Sequence, residues 1–388
     1  MARLSGASPG KSLRSFIQYS NLRLILLCIL ISTYGCLLVN SAALGAGGST
    51  NDVIVQIVAS FGGLLLALLI SRVDYESICA WWPIWAAASL LLVLLTFTPL
   101  GLNVAGTDDT AWLGLRLGSF SLTFQPSELM KIGFIISFSV HLTKAQSTIH
   151  RFKTVLLLGL HAAVPIGLVF LQGDDGTALV FITIFLSMLL AAGVNLLYYV
   201  AGLAAVCAGV PILWSFLTED KKARFLCILP PYVEKYLGTE GWQQYEALKA
   251  IGSGQLSGTG YLQTSHGTLF ARNNDFVFTV AGEEFGFIGS LALLVLLGLL
   301  LYEFYSCAAH SRDSLGTYLC IGMMALVGFQ SIINLGMNLR LLPVIGITLP
   351  LFSAGGSSVA TLYLGIGLVL SVSFSERTRR HDFGGLLR

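Results

Sequence analysis

Residues 278–304 read FTVAGEEFGFIGSLALLVLLGLLLYEF. At 1.5 Å of rise per residue this run is long enough to cross a hydrocarbon core of about 30 Å as a single helix. It also carries two adjacent acids, Glu283 and Glu284, in its first third. A carboxylate there is costly and faces a cavity or a partner, so one segment marks both a membrane helix and a polar site. Comparable apolar runs lie at 22–44, 53–71, 79–98, 126–143, 154–171, 177–193, 196–217, 315–337 and 352–374, which makes ten spans in all. The first is too long for a cleavable signal peptide, follows a polar tail and lacks a small-residue cleavage site.

Composition agrees. Of 388 residues 55% are hydrophobic and 11% charged, against about 25% charged in a soluble domain. Mean hydropathy is +0.79. These values exclude a disordered chain, a nucleic-acid binder resting on bulk charge and a disulfide-stapled secreted module. The net charge of +2 carries no partner signal. The seven cysteines show no C-x-x-C pairing and read as small core hydrophobes.

Lys and Arg set the orientation. The N-terminal tail (Arg3, Lys11, Arg14), Arg72, the loop with Lys144, Arg151 and Lys153, Arg312, and the C-terminal Arg377, Arg379, Arg380 and Arg388 fall on one side, the cytoplasmic one. Short loops opposite hold only Arg116 and Arg340. The expectation is an all-α polytopic protein of one membrane domain, 1–388, with cytoplasmic tails 1–21 and 375–388. One large extracellular loop, 218–277, joins spans seven and eight. Two external segments are large enough to hold a site, 99–125 and 218–277. The latter contains amphipathic pieces at Pro231–Tyr236 and Gln243–Ile251, with Trp242, Tyr245, Leu248 and Ile251 at helical spacing, followed by Gly252, Gly254, Gly258 and Gly260.

Four polar segments embedded in this pattern resemble the SEDS family, the RodA, FtsW and SpoVE proteins of bacterial wall synthesis. They are FQPSE (124–128) with Lys131; QGDDGT (172–177); AIGSGQLSGTG (250–260) running on to DFVF (275–278) and GEEFG (282–286); and Asn334-Leu335-Gly336-Met337 through Leu342-Pro343 and Pro350 to Gly355-Gly356-Ser357-Ser358. The resemblance implies a ten-helix glycosyltransferase of the bacterial cytoplasmic membrane that polymerises lipid II at the outer face. It also implies a class B penicillin-binding protein as transpeptidase partner.

Asp275 matches the family's essential aspartate, and the chemistry requires a general base there, because a sugar hydroxyl is a poor nucleophile until its proton is taken. The competing reading is a helix N-cap. Positions 275, 279 and 283 share a helical face, so Glu283 either tunes Asp275 or sits in a structural ion pair with Lys131 or another base. Glu128 and Lys131 pair at i and i+3, as a packing lock or a cavity wall, beside Gln125 and Glu284. Asp174 and Asp175 are the candidates for a divalent cation, Mg or Mn, or else a turn or cap. Trp112, Arg116, Lys249, Arg340, Glu283 and Ser357 are the candidate substrate contacts; Trp112 and Arg340 read equally as interfacial anchors. Lys221, Lys222, Arg224 and Arg272 read mostly as a solvated face. The histidines show no cluster by position. Departures from the family pattern are Asn273-Asn274 before Asp275, Thr110-Ala111 before Trp112, Gly173 and Asp175 around Asp174, and Arg340 before Leu-Leu-Pro. Other functions compatible with the polar spans are a lipid-linked precursor flippase and a catalytically silent scaffold for a transpeptidase. The large external loop ending in an acid favours a polymerase.

Overall fold

In lipid every backbone N–H and C=O must be bonded internally, so the apolar runs form helices. The computed structural model describes residues 18–45, 50–103, 110–117, 120–263 and 269–386. Its helices are α1 (Leu22–Gly45), α2 (Thr50–Ile70), α3 (Tyr75–Ala80), α4 (Trp82–Leu95), α5 (Pro126–Ala145), α6 (Phe152–Leu171), α7 (Asp175–Ala191) and α8 (Leu196–Phe216). After these come the short α9 (Glu219–Leu226), α10 (Val233–Tyr236) and α11 (Trp242–Ser253), then α12 (Val277–His310), α13 (Ser314–Asn338) and α14 (Gly356–Leu386). Seven of these are long and apolar enough to cross a membrane: α1, α2, α6, α8, α12, α13 and α14 over Gly356–Thr378. The other three expected spans are also helical. The third is divided at Trp81, just ahead of Pro83, into α3 and α4. The fourth, α5, carries Glu128, Lys131 and Lys144, and the sixth, α7, is short at 17 residues.

Two boundaries differ from expectation. The last span starts at Gly356 rather than 352 and continues as helix to Leu386, through most of the expected tail. The external segment 99–125 is not wholly irregular: β1 (Gly101–Leu102), β2 (Trp112–Leu117) and β3 (Phe120–Phe124) form an antiparallel sheet in the order β1-β2-β3. The alternation Phe120-Ser121-Leu122-Thr123-Phe124 has the period of two that a strand requires. Arg3, Lys11, Arg14 and Arg388 lie outside the described residues.

Lipid tails are as apolar as leucine, so close approach rather than expulsion from water drives helix association. Small residues permit it. Gly63 of α2 lies under the ring of Tyr363, and Gly367 of α14 meets Ala67 and Ile70. The Tyr363 hydroxyl then reaches Ser32 of α1 at 2.6 Å. By contrast α8 stands away from the bundle, with none of its span buried.

Polar contacts sort the two ends. At one end Asn21 donates to Glu303 (3.0 Å), Tyr75 to Asp313 (2.6 Å), the Arg312 amide to Glu376 (3.1 Å) and Arg377 to the Ser20 carbonyl (2.9 Å). At the other, Asn273 donates to Asp52 (2.9 Å) and Asn40 to Tyr261 (2.8 Å). The first end gathers Ser20 and Asn21 ahead of α1 together with Arg312 and Arg377, and by its positive charge it is the cytoplasmic end.

Candidate functional site

The external end is organised by a break in α12. Gly286 has φ 64° and ψ −157°, which ends one helix and begins another. A break leaves carbonyls bare on one side and amides on the other. The glycine-rich segment after α11 supplies both sets of partners: Thr259 N and Gly260 N donate to the Glu283 and Glu284 carbonyls (3.0 and 3.1 Å), while Phe287 N and Ile288 N donate to Gln255 O and Leu256 O (2.8 and 3.2 Å). Only glycine lets the two backbones meet. A Cβ at Gly254 would strike Gly282 O, and one at Gly258, itself at φ +81°, would strike Glu284 O. Helix α11 is pinned from its other face by Gln244, which donates to Met337 O (2.9 Å) and Leu342 O (2.7 Å). Trp242, Tyr245 and Leu248 remain exposed in a stripe suited to the membrane surface.

Asp275 stands just before α12. The three carbonyls at 273–275 are strapped to α13 and to the segment ahead of α14. Ala354 N donates to Asn273 O (2.8 Å), Ser353 Oγ to Asn274 O (2.6 Å), and Asn334 and Asn338 both donate to Asp275 O (2.8 and 2.9 Å). The carboxylate itself is partly accessible and has no hydrogen-bond or ion-pair partner among the described residues. It faces Gly346, where a Cβ would lie 4.0 Å from Asp275 Oδ2. Burial pushes its carboxyl up to about 6.

Glu283 does not turn to Asp275 or to Lys131. It pairs with Arg272, which is 5% exposed rather than part of a solvated face. Glu284 accepts from Ser41 and from Leu262 N (3.3 Å), and it acts electrostatically on Arg272. The position of Arg272 follows from the chain's return toward α12, which no local spacing reveals.

Glu128 and Lys131 form the expected pair at 2.7 Å, both buried. Beside them Gln125 donates to Asp174 (3.0 Å), and Asp174 caps α7 by accepting from Thr177 N (2.9 Å). Burial raises the Asp174 carboxyl above the usual range, against the pull of the Thr177 bonds and Lys131. Asp175 turns away to Lys221 at 2.5 Å. The two neighbouring acids are therefore committed to separate partners, and among the described residues no three His, Cys, Asp or Glu side chains gather to hold a metal. This pair does not fit a cation cage. The cluster nevertheless lies near the segment that faces Asp275: a Cβ at Gly176 would lie 2.5 Å from Ile345 O, and Asn334 donates to Ile347 O (2.8 Å).

Of the other candidates, Arg340 is half-buried at φ 55° and donates to Cys227 O (3.2 Å), which ties the end of α13 to the external loop. Lys249 is exposed on α11 near Glu246 (3.8 Å). Ser357 lies partly exposed in the first turn of α14, and Trp112 is partly exposed on β2. Arg116 is on β2 opposite Ser121, its side chain outside the described residues. The histidines do cluster in one case: His141 of α5 and His161 of α6 meet at 3.0 Å, with Ser137 on His161 at 3.1 Å.

Comparison with known proteins gives the family. The family model for FtsW, RodA and SpoVE, described as a cell cycle protein, matches residues 21–378. Stage V sporulation protein E of Bacillus subtilis is 30% identical over 366 residues, covering 92% of this chain and 98% of that one. The probable peptidoglycan glycosyltransferase FtsW of Thioalkalivibrio sulfidiphilus is 32% identical over 92% of this chain and 90% of its own. Among solved structures, one described as "Structural coordination of polymerization and crosslinking by a peptidoglycan synthase complex" aligns with a TM-score of 0.76 at 30% identity, covering 92% of this chain and 98% of that one. The rod shape determining protein RodA of Thermus thermophilus aligns at 0.67 and 30% identity, covering 91% and 96%. The chain belongs to the FtsW, RodA and SpoVE family of multi-pass bacterial membrane proteins.

Proposed function

We propose that this protein is a peptidoglycan glycosyltransferase that polymerises lipid II at the outer face of the cytoplasmic membrane, with Asp275 as general base. The observation that carries the reading is a partly accessible carboxylate at the external end, without a partner among the described residues and raised by burial to about 6. Such a group is ionised at neutral pH yet basic enough to take a proton in the transition state. Relatives over most of the chain's length are named for this activity.

Asp275 takes the proton of the acceptor sugar hydroxyl as that oxygen bonds to the anomeric carbon of the donor sugar. The bond from that carbon to the pyrophosphate breaks with its electron pair, and the configuration inverts. Arg340 and Lys249 are the candidate bases for the leaving pyrophosphate, and Trp112 and Ser357 are candidate sugar or phosphate contacts. Glu283, paired with Arg272, is a further candidate substrate contact. A class B penicillin-binding protein that cross-links the product is the proposed partner, in keeping with the synthase complex of the structural neighbour.

Purified protein reconstituted with lipid II tests the reading. Polymer should accumulate without added enzyme. Transbilayer movement of a labelled lipid II without polymer would instead establish the flippase reading.

A further inference from the structure

We propose that Asn334 and Asn338 are positioning residues for Asp275: they grip its backbone carbonyl from α13 and thereby aim its carboxylate at the acceptor hydroxyl. The inference rests on the general-base reading above.

Residues four apart lie on one helical face, and both asparagines are fully buried. Asn334 Nδ2 spans Asp275 O and Ile347 O, each at 2.8 Å, while Asn338 Nδ2 meets Asp275 O at 2.9 Å and Asn334 O at 2.8 Å. Two donors therefore fill the two lone pairs of one carbonyl. The internal ladder of α12 does not need that carbonyl, since Thr279 N turns to Phe276 O at 3.0 Å. The grip acts on a single residue, and that residue's own side chain has no polar restraint among the described residues.

This division has a chemical consequence. A donor placed on the carboxylate would stabilise the anion and weaken the base. Donors placed on the carbonyl leave its charge alone. They fix the rotation about the Cα–C bond of Asp275, and with it the direction of Cα–Cβ. The base is held still while its lone pairs remain available. Only an amide nitrogen carries two donors on so short a stem, which is why asparagine suits position 334: it binds the carbonyl of the base and that of Ile347 with one group.

The test uses the full chain in proteoliposomes with lipid II, over a range of substrate concentration and from pH 5 to 9. Asn338→Leu should lower kcat about 10-fold and the Asn334→Ala/Asn338→Leu pair about 100-fold, the scale of an ångström's misplacement. KM should stay within about twofold of the parent. The ascending limb of the pH profile should move to lower pH as the released carboxylate gains water. A double variant within twofold of the parent kcat, or one whose limb does not move, overturns the proposal. If the double variant does not fold, Asn338→Leu alone decides by the same two readings, because it retains both bonds of Asn334. Asp275→Asn separates the two failures. If that variant polymerises normally, the general-base reading is lost; if it is inactive while the asparagine variants match the parent, only the positioning role is lost.

Discussion

Replacing Gly286 by alanine should destabilise the protein by about 3–5 kcal/mol. The residue sits at φ 64° and ψ −157°, a region essentially closed to side-chain-bearing residues, where occupation costs about 1–3 kcal/mol. A Cβ there would also lie 2.8 Å from both Gly254 O and Leu256 C, so the loop that caps the break must move. Four hydrogen bonds cross that break, and losing two at about 1 kcal/mol each supplies the remainder. Gly298→Ala is the control: it lies further along the same α12 with nothing within 4 Å and should be neutral or slightly stabilising. Thermal unfolding in detergent reads the stability, and lipid II polymerisation reads the site, since the displaced loop leads directly to Asp275. A Gly286→Ala protein as stable as Gly298→Ala would refute the account of the broken helix.

Asp275→Asn should raise stability while removing activity. A carboxyl lifted from 3.8 to about 6 by burial disfavours its own ionisation, which costs the fold roughly 3 kcal/mol once it is fully charged. The penalty is absent below about pH 4, where both states are protonated, and complete above about pH 6, so parent stability should fall through that window by more than the variant's, which keeps the raised Asp174; calorimetry across pH 4–7 checks it. Lys131→Met should cost about 3–5 kcal/mol by leaving Glu128 buried without its cation, and Glu128→Gln in the same chain should restore more than half, read by thermal unfolding. A single cysteine at Thr239, in a background free of native cysteines, should react with an impermeant maleimide in intact cells whose outer layers admit it. One at Ser147 should react only after the membrane is broken, and the reverse pattern would invert the topology.

The helices were legible because each carries its own signal. An apolar run of span length declares itself locally, and Glu128 and Lys131 declare their pairing through i,i+3 spacing. Even the sheet of 99–125 left a trace in the alternation of residues 120–124, outweighed by the helical character of everything around it. What escaped reading depends on chain segments that meet only in three dimensions. Arg272 looks like one base in a charged loop until the loop returns it to Glu283. His141 and His161 lie on different helices. Asn334 and Asn338 stood inside a recognised motif, yet their common target, one carbonyl at Asp275, is 59 and 63 residues away. The helix break had a partial signal in Gly286 and in the glycines at 254, 258 and 260, whose purpose emerges only when the two backbones are seen to bond.

The most direct test of the account is the yield of glycan polymer from lipid II by purified Asp275→Asn protein, measured beside the parent at pH 7.5. Asparagine keeps the shape of the side chain but cannot take a proton at that pH. The account predicts a folded, membrane-inserted protein that makes no detectable polymer. Glycan chains at near the parent yield would contradict it and remove Asp275 from the chemistry.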